Sequence, residues 1–282
     1  VSSVLDKLDA AAPASTRSLI LRFLSALVLA PVVIAAVHYG GRAFAGLIAF
    51  LNVVMIFEWT RMVERREFSS GFYVLSAGAA FAFYAAASGA YGVAFSVCAG
   101  SGAAAFALAK HSGRLGIWPA IAAPYIVAPS IALVWLRFDA ENGRLLTFLL
   151  FIVVWAADTG AFITGKLLGG PKISHALSPS KTWAGIGGGV VGGAAAGAGG
   201  AAYFWDAGLM APCVAAGAVL GAASVCGDLA ESAFKRNFGY KDISGFIPGH
   251  GGVLDRLDGM IFATTAMTSV YFLYMLAGAM QG

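Results

Sequence analysis

Asp255 and Asp258 stand three residues apart in the segment Pro248-Gly-His250-Gly-Gly-Val-Leu-Asp255-Arg256-Leu-Asp258. On a helix that spacing puts both side chains on one side of a single turn. Two carboxylates so close repel each other unless a cation lies between them. Lacking His or Cys neighbours, that cation should be oxygen-loving, such as Mg²⁺. The glycines ahead of the pair let a phosphate approach the backbone closely. Acids favour helix N-termini, which accounts for one Asp but not for both with Arg256 between them.

A second set lies upstream. Ser224, Asp228, Glu231 and Lys235 recur at intervals of three and four, so they share one helix face. Such a stripe is a poor lipid-facing surface and a good wall for a polar cavity, unless Asp228, Glu231 and Lys235 merely pair among themselves. Between Lys172 and Gly185, the residues Ser178, Lys181 and Thr182 precede a Gly-rich helix. They suit a phosphate, with hydroxyls and helix amides donating and Lys181 supplying charge. They suit an ordinary capped helix start equally well. Asp158 falls inside an apolar run, where an ionisable group costs about 2.5–3.5 kcal/mol and calls for a polar cavity or a partner such as Thr159, Thr164 or a lysine. Glu58 is read more blandly, as an acid snorkelling to the inner interface beside Arg61.

Two nucleotide motifs match in form only. Gly160, Gly165 and Lys166 mimic a phosphate-binding loop, but Leu167 stands where Ser or Thr should hold magnesium. Gly187, Gly189 and Gly192 make a formal GxGxxG inside an apolar helix, where helix packing is the better reading. Cys98, Cys213 and Cys226 have unrelated spacings and read as small core residues.

The elements that must position these groups are membrane helices. Of 282 residues 59% are hydrophobic and only 11% charged, and mean hydropathy is +0.80. A soluble domain carries about 25% charged residues, so the solvent here is largely lipid. Nine apolar runs are long enough to span a bilayer, near 18–38, 42–62, 71–88, 90–109, 115–137, 145–166, 184–204, 208–229 and 256–279. Pro119, Pro124 and Pro129 should kink or break the fifth, and the eighth should continue as far as Arg236. The first run is too long, and followed by too many others, for a removed signal peptide. The chain opens on Val1, which points to a trimmed start.

Lys and Arg accumulate in cytoplasmic loops. With the N-terminus inside, fifteen of the eighteen fall on one side and only Arg42, Arg137 and Arg144 on the other. The fold class is therefore all-α and polytopic, a bundle of about nine transmembrane helices with N-terminus cytoplasmic and C-terminus outside. Residues 1–17 form a tail, 18–140 a helical scaffold, and 141–282 a catalytic region with cytoplasmic loops 167–183 and 235–255. The net charge of +4 is spread over loops facing anionic lipid, with no nucleic-acid partner indicated.

Taken whole, Ser232-x-Phe-Lys-Arg-x4-Lys-Asp-x-Ser-x2-Ile-Pro-x-His-Gly-Gly-Val-x-Asp-Arg-Leu-Asp258 resembles the signature of the phosphatidate cytidylyltransferases, also called CDP-diacylglycerol synthases. Gly227-Asp-Leu-x-Glu-Ser232, Ser178-Pro-x-Lys-Thr-Trp183 and Trp155-Ala-x-Asp-Thr159 also resemble that family's segments. Ala184 departs from them, standing where many relatives carry an acid. The resemblance implies an inner-membrane enzyme of phospholipid biosynthesis that makes CDP-diacylglycerol and pyrophosphate from CTP and phosphatidic acid, and it points to a homodimer. It implies Mg²⁺, as two divalent or mixed cations, at Asp228, Asp255 and Asp258, with Lys235 as a further catalytic residue. Phosphate and substrate contacts then fall to Ser178, Lys181, Thr182, Ser232, Arg236, Lys241, His250, Gly251, Gly252 and Arg256, with Asp158 on the cavity floor. Two other readings compete. An ion-coupled secondary transporter would use Asp158, Asp228 and Glu231 as a relay along a midplane path. A CDP-alcohol phosphotransferase would need an Asp-Gly-x2-Ala-Arg motif, which is absent after Asp258.

Overall fold

A chain in lipid must satisfy its backbone internally, which leaves helices as the element for long apolar runs. The computed structural model describes residues 27, 29–113, 116–174, 178–204, 209–246 and 251–279. The tail 1–17, the start of the first apolar run and His250 lie outside the described residues.

Among the described residues the helices are α1 (Leu29–Tyr39), α2 (Gly41–Glu64), α3 (Ser70–Ala87) and α4 (Tyr91–His111). They continue with α5 (Ile117–Phe138), α6 (Gly143–Leu167), α7 (Trp183–Phe204), α8 (Met210–Asn237) and α9 (Leu254–Ala279). Each of the nine apolar runs finds its helix. Seven of them, α2–α6, α8 and α9, are long and apolar enough to cross a membrane. The chain is an all-α polytopic membrane protein.

Contacts at the two ends fit helices that alternate in direction. At one end Trp59 Nε1, late in α2, donates to the Trp118 carbonyl at the start of α5, 2.9 Å away. At the other, Arg137 at the close of α5 donates to the Val37 carbonyl at the close of α1, at 2.8 Å. Tyr91 at the start of α4 bonds Asp139 there too.

The proline-rich run is not broken. Residues Ala123–Val127 widen into a π-helical turn within α5. Pro124 and Pro129 lack an N–H and crowd the carbonyl four residues back. Local 3₁₀ and π adjustments re-satisfy what they disrupt: the Ala123 N–H reaches the Ala120 carbonyl, and the Ala128 N–H reaches that of Ala123.

The Gly-rich α7 packs between α6 and α8. A Cβ on Gly192 would lie 2.4 Å from the Ala156 carbonyl oxygen, on Gly193 2.3 Å from that of Gly217, and on Gly197 2.1 Å from that of Cys213. Only glycine lets backbones approach so far. Of the GxGxxG, Gly189 and Gly192 serve packing, whereas a Cβ on Gly187 would meet nothing within 4 Å. Gly189, Gly193 and Gly197, spaced four apart on one face, pack within the chain against α8.

One element went unforeseen. β1 (Lys172–Ser174) and β2 (Ser178–Thr182) form an antiparallel hairpin, where only a loop is read from the sequence.

Candidate active site

Three local structures bring the chemistry together. The hairpin runs straight into α7, and Thr182 caps that helix, its hydroxyl accepting from the Gly185 N–H at 3.1 Å. The capped-start reading therefore holds for Thr182. One residue earlier, Lys181 reaches across to Asp228 on α8, 3.3 Å from Nζ to carboxylate.

The stripe on α8 faces inward as its spacing requires. Ser224 donates to Asp158 of α6 at 3.4 Å. Thr159 and Thr164 instead bond backbone carbonyls within α6. Glu231 and Lys235 pair at 2.8 Å, and Lys235 also holds Asp255 at 2.8 Å. The stripe does not simply pair with itself: Asp228 and Lys235 engage the hairpin and α9.

The third structure is the first turn of α9. The Asp255 carboxylate takes the Gly252 N–H at 3.0 Å, the reach-back half of a capping box. The Gly252 N–H, expected as a phosphate donor, is engaged there. Asp258, 7% exposed, accepts from the Gly259 N–H at 2.9 Å. A Cβ on Gly259 would meet Asp228 Oδ1 at 3.2 Å, so the Asp228 and Asp258 carboxylates both lie against Gly259. Helices α8 and α9 pack backbone to backbone here, since a Cβ on Gly227 would lie 2.4 Å from the Asp258 carbonyl oxygen.

These groups line one cavity of about 1360 Å³. Of the expected residues, Asp158, Lys181, Thr182, Asp228, Ser232, Lys235, Gly251, Asp255, Arg256 and Asp258 face it. Ser178, Arg236, Lys241 and Gly252 are not among its lining. Ser178 sits beside Ser180 in the hairpin, and Arg236 and Lys241 are exposed. Glu231 lines it too, as the α8 stripe implies, and Asp242, Ser244 and Ser180 join the lining unannounced. Much of the rest is apolar, from Leu29 and Val33 of α1, Leu51 of α2, and Phe151 and Val154 of α6.

Among the described residues no three acidic, His or Cys side chains converge as a closed metal cage. The donors facing the cavity are carboxylates and hydroxyls, with two lysines on the acids. That suits Mg²⁺, which takes one or two carboxylates and completes its shell with water and phosphate oxygens. It does not suit zinc, which prefers nitrogen and sulfur.

A polar end rich in acids and lysines, continuous with an apolar wall, fits a phosphate-bearing lipid and an anionic partner. The sequence profile of the cytidylyltransferase family matches residues 20–275. The chain belongs to the cytidylyltransferase family. Its similarity extends over nearly full length to relatives in that family. The phosphatidate cytidylyltransferase of Brucella suis is 34% identical over 260 residues, covering 87% of this chain and 90% of that protein. Those of Haemophilus influenzae and Synechocystis are 39% and 43% identical over shorter stretches, 48% of this chain in each case.

One residue of this cytidylyltransferase escaped sequence reasoning. Glu58 does not snorkel: it is fully buried. Its carboxylate accepts from the Val253 N–H at 3.0 Å and the Leu254 N–H at 2.7 Å, and from the Ser244 hydroxyl. Arg61, its supposed neighbour, lies 3.8 Å from Glu67 instead. The only signal in sequence was an acid deep in an apolar run, without its partners in view.

Proposed function

We propose that this membrane protein is a phosphatidate cytidylyltransferase, converting CTP and phosphatidic acid to CDP-diacylglycerol and pyrophosphate. The observation that carries the reading is the single cavity whose acids and lysines adjoin an apolar wall, in a chain similar over most of its length to enzymes of that name.

In this reaction a phosphate oxygen of phosphatidate attacks the α-phosphorus of CTP. A new P–O bond forms there, the bond from that phosphorus to the oxygen bridging to the β-phosphorus breaks, and pyrophosphate leaves with the electron pair. The nucleophile is already an anion, so no strong base is needed. The difficulty is holding two polyanions together, which calls for fixed positive charge in a water-poor site. Lys181, Lys235 and Arg256 line the cavity and supply it. Arg236 and Lys241, exposed beside it, add potential that draws the nucleotide in. Ser232 and the Gly251 turn, which line the cavity, would donate to phosphate oxygens, and the acyl chains would lie along the apolar lining of Leu29, Val33, Leu51 and Phe151.

Asp228, Asp255 and Asp258 would hold Mg²⁺, as two divalent or mixed cations, and the metal would withdraw charge from the phosphoryl oxygens. The site opens to the cytoplasm, where CTP is found. The transporter reading loses ground because the acids gather at one end of α8 and α9 instead of following a midplane path.

The test is direct. Purified protein in detergent with labelled CTP, phosphatidate and Mg²⁺ should yield labelled lipid and pyrophosphate, and chelation should stop both. Asp255→Ala and Asp258→Ala should each lose on the order of 10²-fold or more in kcat. No pyrophosphate from the parent protein, or full activity in Asp255→Ala, would overturn the assignment.

A further inference from the structure

A carboxylate fully buried among apolar helices costs several kcal/mol unless donors surround it. Glu58 is so buried, and all the donors it meets in these bonds come from one distant segment. They are the Ser244 hydroxyl and the N–H groups of Val253 and Leu254. Helix N-termini expose amides with no partner inside the helix. Here Asp255 takes the amide of Gly252, and Glu58 takes the next two from outside. Gly252 leaves room for this, since a Cβ there would lie 2.8 Å from Glu58 Oε1.

The neighbours of Glu58 on α2 point to the same task. Successive residues of a helix project about 100° apart, so three in a row reach three different partners. The Phe57 ring lies 5.8 Å from that of Phe246, in the segment leading to α9. Glu58 holds the first turn of α9. Trp59, also fully buried, sets its ring edge-on to Phe234 of α8, centroids 5.1 Å apart, one residue before Lys235. A single stretch of α2 therefore touches α8, α9 and the segment joining them.

We propose that Glu58 is a positioning residue for the cavity site: from α2 it fixes the first turn of α9, and with it Asp255 and Asp258, in register with Asp228 and Lys235 on α8. Glu58 does not line the cavity and acts through α9. The inference rests on the proposed reaction for its kinetic consequence, while the clamp itself is a matter of structure.

Glu58→Gln keeps the length of the side chain but turns an N–H₂ toward backbone N–H donors, so at most one oxygen still accepts. With misplacement of about 1 Å costing on the order of 10²-fold, kcat for pyrophosphate release should fall about that far. KM for CTP should change much less than kcat, because Lys181 on the hairpin and Lys235 on α8 stay in place and only Arg256 moves with the turn. Amide hydrogen exchange at Val253 and Leu254 should quicken, while amides in the middle of α2 keep their protection. Glu64→Gln, a carboxylate further along α2 that bonds Ser69, should retain the parental kcat.

A folded Glu58→Gln protein with parental kcat and parental exchange at residues 253 and 254 would overturn the proposal. If that variant does not fold, Ser244→Ala reads the same clamp. Faster exchange at residue 253 supports it, and unchanged exchange with unchanged kcat overturns it. Should the parent protein release no pyrophosphate, the assigned reaction fails by itself, and the exchange measurement still decides the clamp.

Discussion

Lys235 carries two jobs that its position in the sequence does not separate. Its ammonium lies 2.8 Å from both Glu231 and Asp255, with side chains only 14%, 4% and 7% exposed. Removing one partner of a buried ionic group leaves uncompensated charge and costs about 3–5 kcal/mol. Lys235→Met should therefore lower the unfolding temperature in detergent markedly, and also abolish pyrophosphate release. Adding Glu231→Gln removes one of the two stranded charges, so it should restore part of the thermal stability and none of the activity. Equal stability of the single variant and the parent would show that the bridge contributes nothing. At this scale much of the site was legible. Asp255 and Asp258 announce themselves by spacing, and the α8 stripe by its period, because helix geometry maps local sequence onto one face. Glu58 was not legible, since its partners lie 186 to 196 residues away and no local rule connects them.

Glycine decides how closely α6, α7 and α8 approach, and so how far Asp158 stands from Asp228. The consequence differs from one glycine to the next along α7. A Cβ on Gly193 would lie 2.3 Å from a backbone oxygen of α8, whereas one on Gly187 meets nothing within 4 Å. Alanine favours a helix over glycine by about 0.5–1 kcal/mol, and of these two positions only 187 takes that gain free of collision. Gly187→Ala should unfold at the parental temperature or slightly above it. Gly193→Ala should unfold below it and lose activity as α7 and α8 are forced apart. Identical melting of the two variants would refute the packing account of this helix. The helices themselves were readable as apolar runs, because lipid permits few alternatives. The hairpin at 172–182 and the π turn in α5 were not. Both answer local backbone demands, a reversal ahead of the Thr182 cap and prolines inside a span, that hydropathy does not encode.

For the whole molecule the proposed reaction depends on which face of the membrane the cavity serves. Residues at the closing ends of α2, α6 and α8 and at the opening of α9 meet around it, so the cavity and residues 65–69 and 238–246 share one end of the bundle. The opposite end holds the α5–α6 connection with Glu141, whose N–H donates to the Tyr271 hydroxyl at 2.8 Å. Arg61, Arg65 and Arg66 cluster at the cavity end and only three of eighteen Lys and Arg fall at the other by the count from sequence. Basic residues are retained in the cytoplasm, so we propose that the cavity end lies on that side. In a background with Cys98, Cys213 and Cys226 replaced by Ala, Arg66→Cys and Glu141→Cys report the two ends, both being exposed positions. A maleimide that cannot cross membranes should label Glu141→Cys on intact spheroplasts, and Arg66→Cys only after permeabilisation. The reverse pattern would put the acids and lysines on the face away from CTP, and the proposed reaction could not then draw on the cytoplasmic nucleotide pool.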